Sequence, residues 1–216
     1  CSSGLCEEEN KCDVEKFNKT LKWKDTDVSA SLGDAREINT GRKYDAIITS
    51  PPYPNRHDYT RIYSLEMLFD FVKSNEDLKR IRYNTLRSHV EARKKYESNE
   101  YIKPAMLNKL ILKVKKNGTN NPRVINMLEG YFEDMYLAVR EMSKSLKDKG
   151  KIALVVSNVR FAGVNIPVDE ILSEAGAQVG LTPKAIWIAR YRGNSSQQMK
   201  EYKRKPSRES IVVWEK

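Results

Sequence analysis

The feature of this 216-residue sequence that most constrains its fold is a short apolar run that ends at a cluster of prolines. Residues 44–49 (YDAIIT) are largely apolar and β-branched, which predicts a strand buried in a parallel sheet. The run stops at residues 50–54 (SPPYP), because consecutive prolines can neither continue a strand ladder nor lie inside a helix. In α/β proteins, functional residues follow the carboxyl ends of such strands. The sequence therefore predicts a rigid turn at a ligand-binding edge of a sheet.

The rest of the chain alternates between strand-like and helix-like patterns. Further strands are predicted at residues 28–32, 151–156, 184–191 and 209–214, and helices at residues 60–72, 76–97, 104–116, 125–147 and 167–176. In the helix at 60–72, Thr60 is the expected N-cap, and one face carries Ile62, Leu65, Leu68, Phe69 and Val72. The last two strands face each other across a polar loop, Gly193–Ser207. This order predicts an α/β fold that ends in an antiparallel hairpin.

The basic charge is concentrated in two segments. The whole chain has a formal net charge of +10, whereas residues 73–123 alone carry a net +9 and residues 186–208 a net +6. The remaining residues are therefore acidic by five charges. Two basic segments on an acidic scaffold indicate a surface that follows nucleic-acid phosphates.

Two further features exclude other classes of protein. No run of 18 apolar residues occurs, so we expect no membrane-spanning helix. Three cysteines, Cys1, Cys6 and Cys12, lie in the first dozen residues, and their spacing fits no common zinc pattern. We expect a cytoplasmic protein without a metal site.

The stretch TSPPY at residues 49–53, with GDARE at residues 33–37 upstream and the terminal hairpin downstream, resembles the amino-methylating DNA methyltransferases. These enzymes use S-adenosyl-L-methionine (AdoMet), and their fourth motif reads Ser/Asp/Asn-Pro-Pro-Tyr/Phe. The Ser form is commonest among enzymes that modify cytosine N4, and the Asp or Asn form among those that modify adenine N6. The resemblance covers residues 28–72 and 126–214.

This resemblance implies a fold and a division of the chain. The fold would be a Rossmann-like methyltransferase sheet, present in part, with the C-terminal antiparallel hairpin and a helical basic insertion. Residues 1–27 would be an N-terminal extension, and residues 28–72 and 124–216 the catalytic core. The insertion at residues 73–123 would recognise double-stranded DNA.

The resemblance also implies catalytic and cofactor-binding residues. The Ser50 hydroxyl and the Pro51 carbonyl would accept hydrogen bonds from the target amine, next to Pro52, while Tyr53 would stack on a base rotated out of the duplex. AdoMet would contact Asp34, Ala35 and Ser50. Contacts to nucleic acid would come from Arg56, Asn158, Arg190, Arg192, Asn194, Ser195, Gln197 and Gln198.

One family motif has no match in the sequence. The Phe-x-Gly-x-Gly segment that holds the methionine end of AdoMet is absent, and no G-x-G occurs anywhere. The missing half could lie on a separate polypeptide, the chain could be a fragment, or it could be a degenerate partner. We expect a split or truncated enzyme in which a companion chain carries the Gly-rich AdoMet loop.

The sequence leaves three functions open. The first is a site-specific DNA methyltransferase of a restriction–modification system, acting on cytosine N4 before adenine N6. The second is a DNA-binding or scaffold subunit that lacks the cofactor, and the third is an RNA amine methyltransferase. Methylation of cytosine C5 needs a thiolate nucleophile, and no cysteine follows a predicted strand.

Overall fold

A four-stranded sheet carries the candidate site. The computed structural model describes residues 29–38, 40–93, 95–96, 98–119, 121–193 and 206–216. The strands are β1 (Tyr44–Thr49), β2 (Leu146–Ser157), β3 (Val159–Phe161), β4 (Val164–Ile166), β5 (Thr182–Arg192) and β6 (Ser207–Glu215). The helices are α1 (Tyr59–Ile62), α2 (Ser64–Asp70), α3 (Asn75–Asn84), α4 (Ala105–Asn117), α5 (Arg123–Ser145) and α6 (Val168–Gln178), and a 3-10 turn spans Ala35–Glu37.

The strand order of the main sheet is β1-β2-β6-β5. Strand β1 runs parallel to β2, with Ile47 opposite Ile152, whereas β6 is antiparallel to both β2 and β5. Strands β3 and β4 form a separate two-stranded hairpin. These pairings confirm a mixed α/β fold with the predicted antiparallel pair near the C-terminus. The finer assignment to a Rossmann-like sheet stays a prediction.

Strand β1 lies at one edge of this sheet. Among the described strands its only partner is β2; we call its outer edge, which no described strand covers, the open edge of β1. The strand also presents apolar surface, because Ile48 is 80% exposed. The strand occupies the predicted residues, but the prediction that it is buried was wrong, because none of its six residues is buried and β2 alone among the described strands pairs with it.

Three predicted elements differ from the structure. Residues 29–32 form no strand, because a short polar segment needs a neighbouring strand and none of the described strands pairs with it. The helix predicted at residues 60–72 is broken at Tyr63, and its N-cap is Asp58, which accepts from the Thr60 amide, rather than Thr60. Helix α3 ends at Asn84, well before the predicted residue 97.

The apolar face predicted for residues 60–72 exists but is not buried by the described residues. Ile62, Leu65 and Phe69 are 50%, 76% and 87% exposed. Val72, in contrast, is buried. An amphipathic pattern identifies a face that has to be covered, but it does not identify the element that covers it.

The hydrophobic core forms where α4, α5 and α6 meet the sheet. Leu128, Phe132 and Met135 of α5 are fully buried together with Ile152 of β2 and Trp214 of β6. Gly176 of α6 fits against this tryptophan so closely that a Cβ atom there would lie 2.2 Å from the indole Nε1 atom. Gly176 was predicted to end the helix, but α6 continues to Gln178, and the glycine is needed for packing.

The basic segment at residues 73–123 is built into this fold. Leu107, Ile111 and Val114 of α4 belong to the same core as α5, and Asp34–Lys216 forms one compact unit. Residues 1–28, which contain the three cysteines, lie outside the described residues. Within the described ranges, no helix has both the length and the apolar character that a membrane span requires.

Candidate active site

The proline-rich turn leaves the sheet at the carboxyl end of β1. The last pair between β1 and β2 joins Thr49 to Leu154, and Ser50 follows directly. Ser50 is exposed, Pro51 and Pro52 are half-buried, and Pro54 is buried. This burial anchors the turn at its far end while the Ser50 hydroxyl stays accessible at the sheet edge.

Tyr53 is held in place at both ends of its side chain. Its ring packs against the main hydrophobic core, and its hydroxyl donates a hydrogen bond to Glu209 Oε1, 2.9 Å away. Burial raises the pKa of Tyr53, and the Glu209 carboxylate acts in the same direction. The tyrosine of the motif is therefore joined to strand β6.

Glu209 connects the turn to the terminal hairpin. It is only 6% exposed and lies opposite Arg190 of β5 and Ser157 of β2. Its Oε2 atom accepts from Arg190 Nε, and its Oε1 atom accepts from Arg192 Nη1 at 3.2 Å. The hydrogen bond from Arg190 is the main reason that the pKa of Glu209 lies below its usual value. The Glu209 carboxylate thus binds Arg190 and Arg192, two residues predicted to contact nucleic acid, next to the predicted catalytic Tyr53.

Sequence reasoning missed Glu209. It is the first residue of the predicted strand 209–214 and directly follows the basic segment at residues 186–208. A buried acid facing two arginines across a hairpin is the signal that could have found it, since buried carboxylates are paired. Without the strand register, however, nothing in the sequence pairs residue 209 with residue 190.

Asn158 has a role inside the fold. It is 6% exposed, and its Oδ1 atom accepts a hydrogen bond from the Asp169 amide, 3.3 Å away, at the start of α6. Asp169 is itself fully buried and binds Arg208 and Ser210. Asn158 also lines a cavity of about 370 Å³ beside Tyr191. Its predicted contact with nucleic acid stays a prediction.

Arg56 follows the turn in a left-handed conformation, with a φ angle of 66°. Its amide donates to the carbonyl oxygen of Ser88, and its guanidinium carbon lies 5.8 Å from the ring centre of Phe161 in the β3–β4 hairpin. The side chain is exposed, and its predicted contact with nucleic acid stays a prediction. The remaining predicted contacts, Asn194, Ser195, Gln197 and Gln198, lie outside the described residues.

Asp34, a predicted contact of the cofactor, belongs to a network of ion pairs. Both its carboxylate oxygens accept from Arg36, at 2.9 and 2.7 Å, and Oδ2 also accepts from Tyr96. Burial alone would raise the pKa of Asp34, but these hydrogen bonds outweigh it and lower the pKa to about 2. Arg36 in turn binds Asp134 of α5. Contacts of Asp34 and its partly buried neighbour Ala35 with a cofactor stay a prediction.

This network predicts a loss of stability in acid. The folded-state pKa of Asp34 lies below its ordinary value of 3.8, so its contribution is complete above that value and is lost as the pH falls toward 2. We expect the free energy of unfolding in urea to fall between about pH 5 and pH 2. Asp34→Asn should show a smaller fall, whereas the exposed control Asp148→Asn should behave as the wild type. An Asp34→Asn variant with the full wild-type slope would contradict this role.

No metal centre is evident in this part of the chain. Among the described residues, no group of three or more His, Cys, Asp or Glu side chains is placed to hold a metal ion.

Two curated proteins are similar in sequence to this chain over most of its length. The chain is 34% identical over 197 residues to the Type II methyltransferase M.BsoBI of Geobacillus stearothermophilus. It is 35% identical over 186 residues to the Type II methyltransferase M.AvaI of Nostoc sp.. Its relatives are Type II methyltransferases. No family model and no solved structure matches the chain.

These similarities cover only part of each relative. Each covers 80% of this chain but 38% of the relative. The matched region therefore lies within one longer polypeptide in both relatives. This arrangement gives no support to the separate companion chain expected from the sequence.

Proposed function

We propose that this chain is the catalytic part of an AdoMet-dependent DNA methyltransferase. It would methylate an exocyclic amine of a flipped base, cytosine N4 in preference to adenine N6, in the cytoplasm and in a restriction–modification setting. The observation that carries the proposal is the exposed Ser50 at the end of β1, in the same turn as Tyr53, which is joined through Glu209 to two exposed arginines. The similarity to Type II methyltransferases supports it.

The turn suits an amine substrate because it offers acceptors and few donors. Pro51 and Pro52 have no amide hydrogens, so the backbone there presents only carbonyl oxygens, with the Ser50 hydroxyl beside them. An exocyclic amine donates two hydrogen bonds and can satisfy these acceptors. Holding the amine in this way orients its nitrogen lone pair, and orientation is the main contribution available, because no strong base lies in the turn.

The described residues supply only part of a cofactor site. AdoMet, when bound, would provide an electrophilic methyl group. The Asp34 carboxylate is already fully engaged by Arg36 and Tyr96, and the sequence has no Gly-rich loop. We therefore propose that most cofactor contacts come from residues outside this sequence.

The open edge of β1 is the place where such residues could join the fold. No described strand pairs with it next to the turn, and the exposed Ile48 offers apolar surface. We propose that a strand carrying the Gly-rich motif pairs here and covers the apolar face of α1 and α2. The length of the relatives favours one longer polypeptide over a companion chain.

Duplex DNA would bind to two basic surfaces. Some basic side chains of residues 73–123 form ion pairs within the protein: Arg82 binds Asp58, and Arg87 binds Asp134. Helix α4 instead presents four exposed lysines, which are Lys109, Lys113, Lys115 and Lys116. We propose that they contact phosphates, while Arg190 and Arg192 contact the backbone near the flipped base.

Mass spectrometry of nucleosides tests the proposal directly. Duplex DNA is incubated with AdoMet and the complete polypeptide that contains this region, and then digested. We expect N4-methylcytosine. N6-methyladenine would correct the base, binding without any modified nucleoside would favour the scaffold function, and preferential modification of structured RNA would favour the RNA methyltransferase.

A further inference from the structure

We infer that Glu209 is a positioning residue that couples the base-stacking tyrosine to the phosphate-binding arginines. The inference rests on the proposed function, because it concerns how that site is assembled. The Glu209 carboxylate would orient the side chains of Tyr53, Arg190 and Arg192 together.

The geometry shows why one residue can do this. Tyr53 reaches Glu209 from the turn after β1, and the two arginines reach it from β5. Glu209 itself is almost completely buried, which limits the access of water to its carboxylate. The arginine side chains are 65% and 51% exposed, which leaves part of each guanidinium available to another anion.

An ordinary cross-strand ion pair would not need this arrangement. Glu215, on the same strand, shows what such a pair looks like. It binds Lys184 at 2.8 Å and lies 3.9 Å from Lys151, near the opposite end of β6. Glu209 differs because it also accepts from a residue 156 positions away, in the predicted catalytic turn. Stabilisation of the hairpin requires only Arg190 and Arg192.

The expected consequence is a link between phosphate contact and base contact. The hydrogen bond to Glu209 fixes the hydroxyl end of Tyr53 and so limits the rotation of its ring. The same carboxylate holds each guanidinium from one side and leaves the other side for a phosphate. A backbone phosphate bound by these arginines would therefore lie at a fixed place relative to the face of the tyrosine.

The test compares Glu209→Gln with Glu215→Gln in the complete polypeptide. Both variants remove one negative charge from β6. We expect Glu209→Gln to bind duplex DNA at least as tightly as the wild type, because the hairpin becomes more positive, yet to lower kcat about 10-fold or more. Glu215→Gln removes the same charge but has no contact with Tyr53, so it should leave kcat unchanged. If kcat of Glu209→Gln stays within about twofold of wild type, or if kcat and affinity fall together as in a folding defect, the inference is wrong.

A double-mutant cycle with Tyr53→Phe tests whether Glu209 affects kcat through the hydroxyl of Tyr53. This substitution removes only the hydroxyl through which Glu209 reaches the ring. If Glu209 acts through Tyr53, adding Glu209→Gln to Tyr53→Phe should cost clearly less in kcat than it costs in the wild type. Losses that multiply would show that Glu209 acts elsewhere.

A measurement that does not need catalysis separates this inference from the proposed function. Tyrosine labelled with ¹³C at Cζ gives one NMR signal per side chain, and Tyr53→Phe assigns the signal of Tyr53. We expect Glu209→Gln to shift that signal and Glu215→Gln to leave it in place. If the wild type methylates nothing but the shift occurs, the proposed function fails and the coupling stands. An unshifted signal would overturn the coupling even in an active enzyme.

Discussion

Replacing Ser50 with alanine is expected to lower kcat about 100-fold while leaving DNA binding and stability close to wild type. The hydroxyl is one of the acceptors proposed to orient the amine, and a misplaced amine cannot approach the methyl group in line. Because Ser50 is exposed, its hydroxyl contributes little to packing. Single-turnover methylation of duplex DNA at saturating AdoMet measures the effect without interference from product release.

Ser50→Asn provides the matched control. It keeps a side-chain oxygen acceptor at the same position of the turn, so it should retain far more activity than Ser50→Ala. Equal activity of Ser50→Ala and the wild type would remove the main argument for an amine-binding turn. Equal loss in both variants would show that steric fit, and not the acceptor, is what the site requires.

Replacing Asp134 with alanine is expected to lower the free energy of unfolding by about 3–5 kcal/mol. Asp134 is fully buried and accepts from Arg36 at 2.9 Å and from the side chain and backbone amide of Arg87. Its removal would leave two largely buried guanidinium groups short of a partner, and an uncompensated buried charge is costly. Urea denaturation at neutral pH measures the change.

Glu133→Ala is the control for this prediction. Glu133 also binds Arg87, at 3.0 Å, but its side chain is 19% exposed and it makes a single ion pair with that arginine. We expect its loss to cost about 1 kcal/mol or less. If the two variants were equally stable, the buried network would not contribute in the way that its geometry indicates.

Local patterns in the sequence were sufficient to predict the strand and the turn. The β-branched run at residues 44–49 and the prolines after it act through backbone geometry, which neighbouring residues determine. The same holds for α5, whose apolar spacing fixed its position to within about two residues at each end. The resemblance to methyltransferases rested on these local features, and the relatives agree with it.

Contacts between distant residues could not be predicted. The ion pairs of Asp34 could not be predicted, because its partner Arg36 is held in the fold by Asp134, 98 positions further along the chain. Glu209 escaped notice because its role depends on the register of β5 and β6 and on a turn far away in the sequence. Side-chain type suggests which chemistry is possible, but only the fold decides which partners are within reach.

The open edge of β1 has a practical consequence for anyone who produces this region alone. An unpaired strand edge beside exposed apolar side chains can pair with the same edge of another molecule. Such preparations would tend to self-associate, and added salt would not prevent this, because neither backbone pairing nor apolar contact depends on charge.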